Sequence, residues 1–235
     1  TPNPARSGEQ PYFNAVQEIA DEYKVPFINF NLLDAETGFT ADDFWTDGHH
    51  LNTSGGRKIS SYLGKYLMSK YMLLDHRGDE NYKSWDVFAD NMENSYLKLI
   101  TEADDYFSEI ARNGRTVVIV KQNIQEQSET YHSFLLKTAD TGLNLSFLAD
   151  EGQGCYVIDT FGSKQYDCTQ DCHLKIDGID MTIDFAHSST VFIDGSEAYE
   201  LPGSGIICMV YDPLKKEIVD IAVLSEDTQY AVIHQ

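Results

Sequence analysis

Residues 45–56 read Trp-Thr-Asp-Gly-His-His-Leu-Asn-Thr-Ser-Gly-Gly, and this stretch sets our expectation of the fold. It places a carboxylate, Asp47, three residues before an imidazole, His50, on a turn that leads into a helix. An acidic neighbour can fix the tautomer of a histidine and stabilise the imidazolium that forms when the ring accepts a proton. Active-site residues of open α/β folds gather on loops at the carboxyl ends of strands. The stretch therefore predicts an α/β domain in which Asp47 and His50 have a catalytic or formerly catalytic role. The alternative is an ordinary pair of exposed loop residues.

The segments around this stretch match such a domain. Residues 11–24 are expected to be a helix, and residues 25–30 a short apolar strand. Thr53 or Ser54 is expected to cap the next helix, which residues 75–79 end. The side chains predicted to form apolar faces are Phe13, Val16, Ile19, Ala20 and Tyr23 in the first helix, and Ile59, Tyr62, Leu63, Tyr66, Leu67 and Tyr71 in the second.

The second half of the chain has a different sequence pattern. A long helix is expected from about residue 84 to residue 111, with Asn113-Gly114 as its stop. Short apolar runs separated by turn residues then predict a β-rich, sandwich-like domain. We therefore predict three parts: the carboxyl-terminal portion of an α/β domain over 1–83, a bridging helix over 84–114 and a β-rich accessory domain over 115–235. The predicted strands are 116–120, 131–136, 143–148, 155–159, 181–185, 191–193, 205–211 and 218–224.

The charge of the chain excludes some classes of partner. The formal net charge is −21, and the acidic residues are spread over both halves. Such a surface repels nucleic acid and anionic membranes. No apolar run approaches the roughly 20 residues that a membrane-spanning helix needs, so no membrane span is expected.

The four cysteines leave several interpretations open. They are Cys155, Cys168, Cys172 and Cys208. Cys168-x-x-x-Cys172-His173 suggests a metal or haem site, but the spacing is one residue too long for haem attachment and lacks a second ligand pair for zinc. Ordinary thiols and a disulfide are the alternatives. We expect no metal and no organic cofactor.

Other candidate motifs have simpler structural explanations. His132, His173, His187 and His234 are isolated in the sequence, so each is expected to be a surface or hydrogen-bonded core residue. Asp194-Gly195-Ser196 is expected to be a turn. Gly203-Ser-Gly205 lacks the Lys-Ser/Thr ending of a phosphate loop.

Asp47-Gly-His-His50-Leu-Asn52, with Gly55-Gly56 and the following helix, resembles the last conserved block of the SGNH (GDSL-type) hydrolases. The resemblance covers about residues 10–85. The motif is most similar to that of bacterial members that handle acyl groups on cell-envelope polymers. It implies a flavodoxin-like α/β fold and a Ser-His-Asp triad, with His50 as general base and Asp47 as its orienting carboxylate. It also implies acylated carbohydrate or cell-envelope substrates and an extracellular or cell-surface location in bacteria, although a cytoplasmic one stays open. Asn52 is expected to fix the turn.

The chain departs from that family in one respect. The family's Gly-Asp-Ser nucleophile block and its oxyanion-hole donors precede this region, and Gly-Asp-Ser does not occur in the chain. Because these blocks are missing, we expect this to be the carboxyl-terminal part of such an enzyme, inactive alone. The opening Thr1-Pro2-Asn3-Pro4 lacks Met and is typical of a processed or shortened chain, so the sequence does not show whether a targeting segment preceded it. The alternative is a non-catalytic carbohydrate- or protein-binding module with a relic SGNH segment. A third possibility is that a separate chain supplies the nucleophile.

Residues 203–220 carry a fainter likeness. Gly-x-Gly before an apolar strand, an Asp-Pro turn with Lys and a final Val-Asp are similar to the ILEI-like domain pattern. The resemblance implies a small β-rich binding sandwich, with possible glycan contact by this domain. A plain strand–turn–strand hairpin explains the same residues equally well.

Overall fold

A computed structural model of the chain describes residues 9–48, 50–150, 152–159, 162–166, 172–176, 178–184 and 190–235. The chain divides into two compact units, Thr1–Ser84 and Trp85–Gln235. It combines helices with two antiparallel sheets, consistent with the expected α/β part and β-rich part. Within the described residues, none of the helices has both the length and the apolar character that a membrane crossing requires.

Helices joined by loops make up the described part of the first unit. The helix predicted over 11–24 is confirmed. It ends where Lys24, at φ 53°, donates its backbone N–H to the carbonyl oxygens of Ala20 and Asp21. The helices are α1 Gln10–Tyr23, α2 Asp34–Thr37 and α3 Thr53–Lys70, and α4 Lys83–Leu97 begins at the boundary between the units.

The strand predicted over 25–30 is wrong. Residues 25–29 have no regular structure, and Phe30–Leu32 is a 3-10 turn. A strand needs a neighbour to receive its backbone hydrogen bonds. The only β-bridge in the described part of this unit joins Phe44 to Leu51, so residues 25–29 have no sheet to join.

The first unit buries few apolar side chains. Ala20 and Phe39 are the only buried ones among its described residues. Most of the predicted apolar face of α1 lies in solvent instead: Val16, Ile19 and Tyr23 are exposed, and Ala20 is the buried member of that face. A soluble domain of this length normally buries over half of its unfolded surface, so these helices lack the core that their sequence pattern calls for.

The helix predicted over 84–111 is two helices, so the expectation of one continuous helix is wrong. Helix α4 ends at Leu97 and α5 spans Ala103–Arg112. The loop between them bonds to the end of the chain, because Val232 N donates to Thr101 O at 2.8 Å. Ile100 on this loop is buried in the core, and the loop and both helices pack within the second unit.

A six-stranded antiparallel sheet forms the centre of the second unit, in the order β10-β9-β8-β1-β2-β3, and a four-stranded antiparallel sheet in the order β4-β5-β6-β7 accompanies it. Helix α6, Glu129–Thr138, follows the first strand. The strands are β1 Thr116–Gln122, β2 Gly154–Asp159, β3 Gly162–Tyr166, β4 Cys172–Ile176, β5 Ile179–Asp184, β6 Thr190–Ile193, β7 Ser196–Glu200, β8 Gly205–Asp212, β9 Glu217–Leu224 and β10 Ile233–His234.

Both faces of the six-stranded sheet are buried. Val117 and Ile119 of β1 pack with residues of α5 and α6, while Val118 and Val120 pack against the four-stranded sheet. Alternation along a strand sends successive side chains to opposite faces, so one strand serves two cores. Every residue of β8 is buried for the same reason. The second unit is therefore a β-sandwich with a helical layer on its outer face.

Two of the strands predicted for the second unit are wrong. Residues 131–136 lie in helix α6, which begins where Ser128 accepts a hydrogen bond from Tyr131 N at 3.1 Å. Residues 143–148 form a loop and a 3-10 turn. The remaining predicted strands correspond to β1, β2, β5, β6, β8 and β9, whereas β3, β4, β7 and β10 were not predicted. Residue 185, the last of the strand predicted over 181–185, lies outside the described residues.

Both turn predictions are confirmed. Asp194 and Gly195, at φ 49° and 78°, make the tight turn of the β6–β7 hairpin. Two consecutive positive φ values match the right-handed twist of the flanking strands. Residues 203–220 contain the predicted hairpin of β8 and β9.

A buried ion-pair network ties α4 to the sheet. Arg115 lies 2.6 Å from Asp90 and 2.8 Å from Asp212, and Asn94 donates to Asp212 at 2.9 Å. Burial and the nearby Asp212 raise the pKa of Asp90. Asp212 is buried too, but its hydrogen bonds and Arg115 outweigh that effect and lower its pKa. Asp212 Oδ1 also accepts from Leu214 N, which shapes the β8–β9 turn.

Candidate active site

A buried carboxylate, Asp43, stabilises the segments on either side of the Asp47–His50 turn. Its oxygens accept hydrogen bonds from Thr40 N at 2.7 Å, Ser54 Oγ at 2.7 Å and Lys58 Nζ at 2.6 Å. Burial by itself would raise the pKa of Asp43, but these donors outweigh it and hold the pKa below its usual value. Asp43 therefore joins the loop before the turn to the helix after it.

Asn52 begins helix α3, one residue before the predicted cap. Its side chain accepts a hydrogen bond from Gly55 N at 3.1 Å and donates one to Asp42 O at 2.6 Å. The expectation that Asn52 fixes the turn is thus confirmed. Gly55 has no room for a side chain, because a Cβ would collide with the carbonyl oxygen of Asp43 and lie 2.7 Å from Leu51 Cδ2. A glycine here lets the helix approach the loop closely.

The turn itself brings Asp47 and His50 together. Trp45 N donates to His50 O at 2.8 Å, which closes the loop, and Gly48 adopts φ 67° inside it. Asp47 Oδ1 accepts the backbone N–H of His50 at 3.0 Å, while Asp47 Oδ2 lies 2.8 Å from His50 Nδ1. One carboxylate thus fixes both the backbone and the ring. This is the pairing of the two residues that the sequence predicted.

The pair has the geometry of an oriented general base. Because a carboxylate accepts a hydrogen bond from Nδ1–H, the neutral ring keeps its lone pair on Nε2. That Nε2 has no hydrogen-bond partner among the residues that the structure describes, and the His50 side chain is 81% exposed. A substrate or a nucleophile can therefore reach it.

A nucleophile for this base does not accompany it in the described part of the chain. No serine, threonine or cysteine there forms a hydrogen bond with His50, and Ser54 is bonded to Asp43. His49, the predicted neighbour of the base, lies outside the described residues. The geometry supplies an Asp–His pair, without a hydroxyl or thiol partner among the described residues.

A second Asp–His pair lies in the other unit, and sequence reasoning missed it. Asp220 and His234 are on different strands, and His234 Nδ1 lies 3.0 Å from Asp220 Oδ1. The other ring nitrogen is occupied, because Nε2 lies 2.8 Å from the carbonyl oxygen of Ile100. His234 is thus the hydrogen-bonded core histidine that the sequence predicted, and it is not available as a base.

The three described cysteines, Cys155, Cys172 and Cys208, are all buried. Burial raises the pKa of the Cys208 thiol, which disfavours the reactive thiolate. Within the described ranges, no three His, Cys, Asp or Glu side chains are grouped to hold a metal ion. Cys168 and His187 fall outside those ranges.

The second unit also contains a cavity of about 540 Å³. Its walls come from the start of α5, from α6 and from residues 228–231. The ring of Tyr230 stacks on Phe134 with centroids 4.8 Å apart, and no described residue forms a hydrogen bond with the buried Tyr230 hydroxyl. Burial and the nearby Glu226 raise the pKa of Tyr230 to about 12, so its hydroxyl stays neutral.

Comparison of the chain with protein-family models, with curated proteins and with solved structures gives no match. The geometry of the chain's own residues therefore carries the functional argument.

Proposed function

We propose that the first unit is the carboxyl-terminal part of an SGNH-type serine esterase or acyltransferase. The observation that carries this proposal is the 2.8 Å contact between Asp47 Oδ2 and His50 Nδ1 beside an exposed ring. In this role His50 Nε2 removes the proton from a serine hydroxyl, which then attacks the carbonyl carbon of an acyl ester. Asp47 keeps the ring in the required tautomer and stabilises the imidazolium. Acylated carbohydrates or cell-envelope polymers outside a bacterial cell are the proposed substrates, on the resemblance given above.

The exposed apolar surface of the first unit supports the proposal that this unit is part of a larger domain. Most of the apolar face of α1 lies in solvent, and residues 25–29 pair with no strand in the described part of the chain. Large exposed apolar patches mark surfaces that other protein normally covers. We attribute this surface to contact with the part of the domain that carries the serine and the oxyanion-hole donors.

A fluorophosphonate probe tests the proposal directly. The probe, read by intact mass, is applied to this chain and to a chain that includes the natural upstream sequence. We expect labelling of the longer chain only, at a serine outside this sequence, and loss of labelling in His50→Ala. His76→Ala is the matched control, because His76 also lies near an aspartate three residues away, with Nδ1 3.5 Å from Asp79 Oδ2. Absence of label on the longer chain, or equal loss in both variants, would contradict the proposal.

A second candidate function is a non-catalytic binding module, and the cavity beside Tyr230 favours it. A volume of about 540 Å³ is in the range of small-molecule sites, and polar side chains line much of it. Chemical-shift titration with plain and acylated oligosaccharides tests this candidate. Binding that Tyr230→Phe weakens and His50→Ala leaves unchanged would favour the module. Shift changes confined to the 45–52 loop would favour the enzyme.

A further inference from the structure

A small pocket lies at one end of the six-stranded sheet, where the neighbouring strands β1, β8 and β9 begin or end. Gln122, the last residue of β1, pairs with Gly205, the first residue of β8. The next residue of β8, Ile206, pairs with Leu224, the last residue of β9. The pocket has a volume of about 100 Å³. It shares only Tyr230 with the 540 Å³ cavity, so the two are separate features of the second unit.

Hydrogen bonds within the chain hold the walls of this pocket. Asn123, at φ 47°, donates from its side chain to Gly203 O at 2.7 Å, which fixes the loop before β8. On the other side, Tyr230 N donates to Ser225 O at 2.7 Å, and Gln229 and Tyr230 adopt φ values of 54° and 59°. Residues other than glycine adopt such angles where surrounding contacts impose them. The fold itself therefore fixes the walls.

The lining of the pocket is acidic. Glu226 and Asp227 both contribute to it, and none of the described residues that line the pocket is a lysine, an arginine or a histidine. The side chain of Glu226 is partly buried, and no hydrogen bond or ion pair joins its carboxylate to another described residue. A cleft lined by charge of one sign raises the local concentration of ions of the opposite sign. The lining therefore favours a cation.

The hydroxyl of Tyr230 is a second, independent sign of a ligand. Tyr230 is only 2% exposed, and none of the described residues forms a hydrogen bond with its hydroxyl. Burial and the carboxylate of Glu226 raise the pKa of Tyr230 to about 12, so the hydroxyl is neutral and lies within the field of Glu226, which lines the small pocket. A neutral hydroxyl can accept a hydrogen bond, and burying it without a partner costs free energy. A ligand that donates to this hydroxyl would remove that cost.

We propose that this pocket binds a primary ammonium group, which donates hydrogen bonds to the Glu226 carboxylate and to the Tyr230 hydroxyl. An ammonium group is a compact cation that has donors and no acceptor, so it matches a lining of carboxylates and hydroxyls. A volume of about 100 Å³ suits such a head group, whereas a site for a whole small molecule occupies roughly 300 Å³ or more. The site lies in the second unit and does not depend on the function proposed for Asp47 and His50.

A divalent metal ion matches the pocket less well. Calcium takes about six to eight oxygen ligands, several of them carboxylates. The pocket offers the carboxylates of Glu226 and Asp227, and no group of three acidic, histidine or cysteine side chains that could hold a metal occurs within the described ranges. The charge-assisted hydrogen bonds of an organic cation need only one carboxylate and one further acceptor.

An NMR titration of the ¹⁵N-labelled full chain with n-butylammonium chloride tests the proposal. We expect the backbone amides of Asn123, Ser225 and Glu226 to shift, with a roughly millimolar dissociation constant. The uncharged control, 1-butanol, should leave these amides unchanged. D-Glucosamine and Nα-acetyl-lysine amide then distinguish an amino sugar from a lysine side chain as the source of the ammonium group. Their N-acetylated forms, which have no charge on that nitrogen, should not bind.

Two variants test the residues that are proposed to hold the ammonium group. Glu226→Gln keeps the size of the side chain and removes its charge, so we expect it to weaken n-butylammonium binding by about tenfold or more. Glu129→Gln is the matched control, because Glu129 lines the larger cavity, and it should bind as the unmodified chain does. Tyr230→Phe should weaken binding by about threefold to tenfold. It should also raise the urea midpoint of the ligand-free chain, because it removes a buried hydroxyl that no described residue satisfies.

Other outcomes would overturn the proposal. Absence of shifts with n-butylammonium would show that the pocket does not bind this group, and the same shifts with calcium chloride at equal concentration would assign the pocket to a metal ion. Equal weakening in Glu226→Gln and Glu129→Gln would mean that only the net charge of the chain matters. Unchanged binding in Tyr230→Phe would mean that the hydroxyl meets water and not the ligand.

Discussion

Gly55 controls how closely helix α3 approaches the loop that carries the candidate site. A Cβ there would lie 2.7 Å from Leu51 Cδ2 and collide with Asp43 O, a backbone atom that cannot swing away. We expect Gly55→Ala to destabilise the first unit by about 1–3 kcal/mol, as overpacking usually does. Gly56 has open space around the same position, so Gly56→Ala should be neutral or stabilise by up to ~1 kcal/mol. Urea unfolding of the two variants measures the difference, and equal effects would contradict the clash.

Asp47 determines the tautomer of His50. The carboxylate oxygen 2.8 Å from Nδ1 requires the N–H on that nitrogen. In Asp47→Ala we expect the neutral ring to shift toward the Nε2–H form, because the acceptor that holds the proton on Nδ1 is gone. Nitrogen-15 shifts of the His50 ring at pH 8.5 measure the tautomer. The Asp79→Ala variant, which removes the longer contact to His76, should leave the His50 spectrum unchanged. No change in Asp47→Ala would mean that the carboxylate does not orient the ring.

At the scale of the structural elements, Asp43 joins the loop before the Asp47–His50 turn to helix α3. We expect this loop and this helix to separate at low pH. Burial raises the pKa of Asp43, but Lys58, Ser54 and Thr40 lower it by more, so the folded-state value lies below that of the unfolded chain. A lowered pKa means stability that is present above about pH 4 and is lost as pH falls through the folded value. Urea midpoints of the first unit between pH 6 and 3 should therefore fall. The Asp43→Asn variant should be less stable at pH 6 and less sensitive to acid, and an unchanged acid sensitivity would contradict this assignment.

Arg115 joins helix α4 to strand β8 inside the second unit. Its guanidinium lies between the carboxylates of Asp90 and Asp212, and all three side chains are buried. Removing one partner leaves buried charge without compensation, so Arg115→Met should cost about 3–5 kcal/mol. Arg112→Met is the control, since that side chain is half-exposed, and should cost at most about 1 kcal/mol. Chemical denaturation of the second unit measures both, and similar losses would contradict the role of the buried network.

Local pattern predicted the elements whose partners are close in sequence. The hairpins at Asp194-Gly195 and over 203–220, helix α1 and the Asp47–His50 contact all depend on residues near one another. The run 131–136 predicts a strand on its local pattern, but the Ser128 cap starts a helix there, and the packing of Tyr131 and Phe134 in the core stabilises that helix. The break at 98–102 and the Asp220–His234 pair depend on long-range contacts, which no single stretch of sequence displays.

At the scale of the whole molecule, the two units differ sharply in what they bury. The described first unit buries the apolar side chains of Ala20 and Phe39, whereas the second has apolar cores on both faces of its central sheet. Burial of apolar surface is the main favourable term in folding. The second unit should therefore be much more stable than the first. Adding the proposed missing part of the first domain should raise the free energy of unfolding of the first unit.

Two separate unfolding transitions are the expected consequence. The chain has two tryptophans, Trp45 in the first unit and Trp85 at the start of the second, so each unit carries its own fluorescent reporter. In the Trp85→Phe variant, only Trp45 remains, and its fluorescence should change at low urea. In the Trp45→Phe variant, the fluorescence of Trp85 should change only at higher urea, where the circular dichroism signal of the β-sheets is also lost. The folded chain should also bind the dye ANS, because the apolar face of α1 is exposed. The same urea midpoint in both variants would mean that the two units unfold together. If a chain extended with upstream sequence kept the same midpoint for the first transition, that result would argue against an upstream part that completes the first domain.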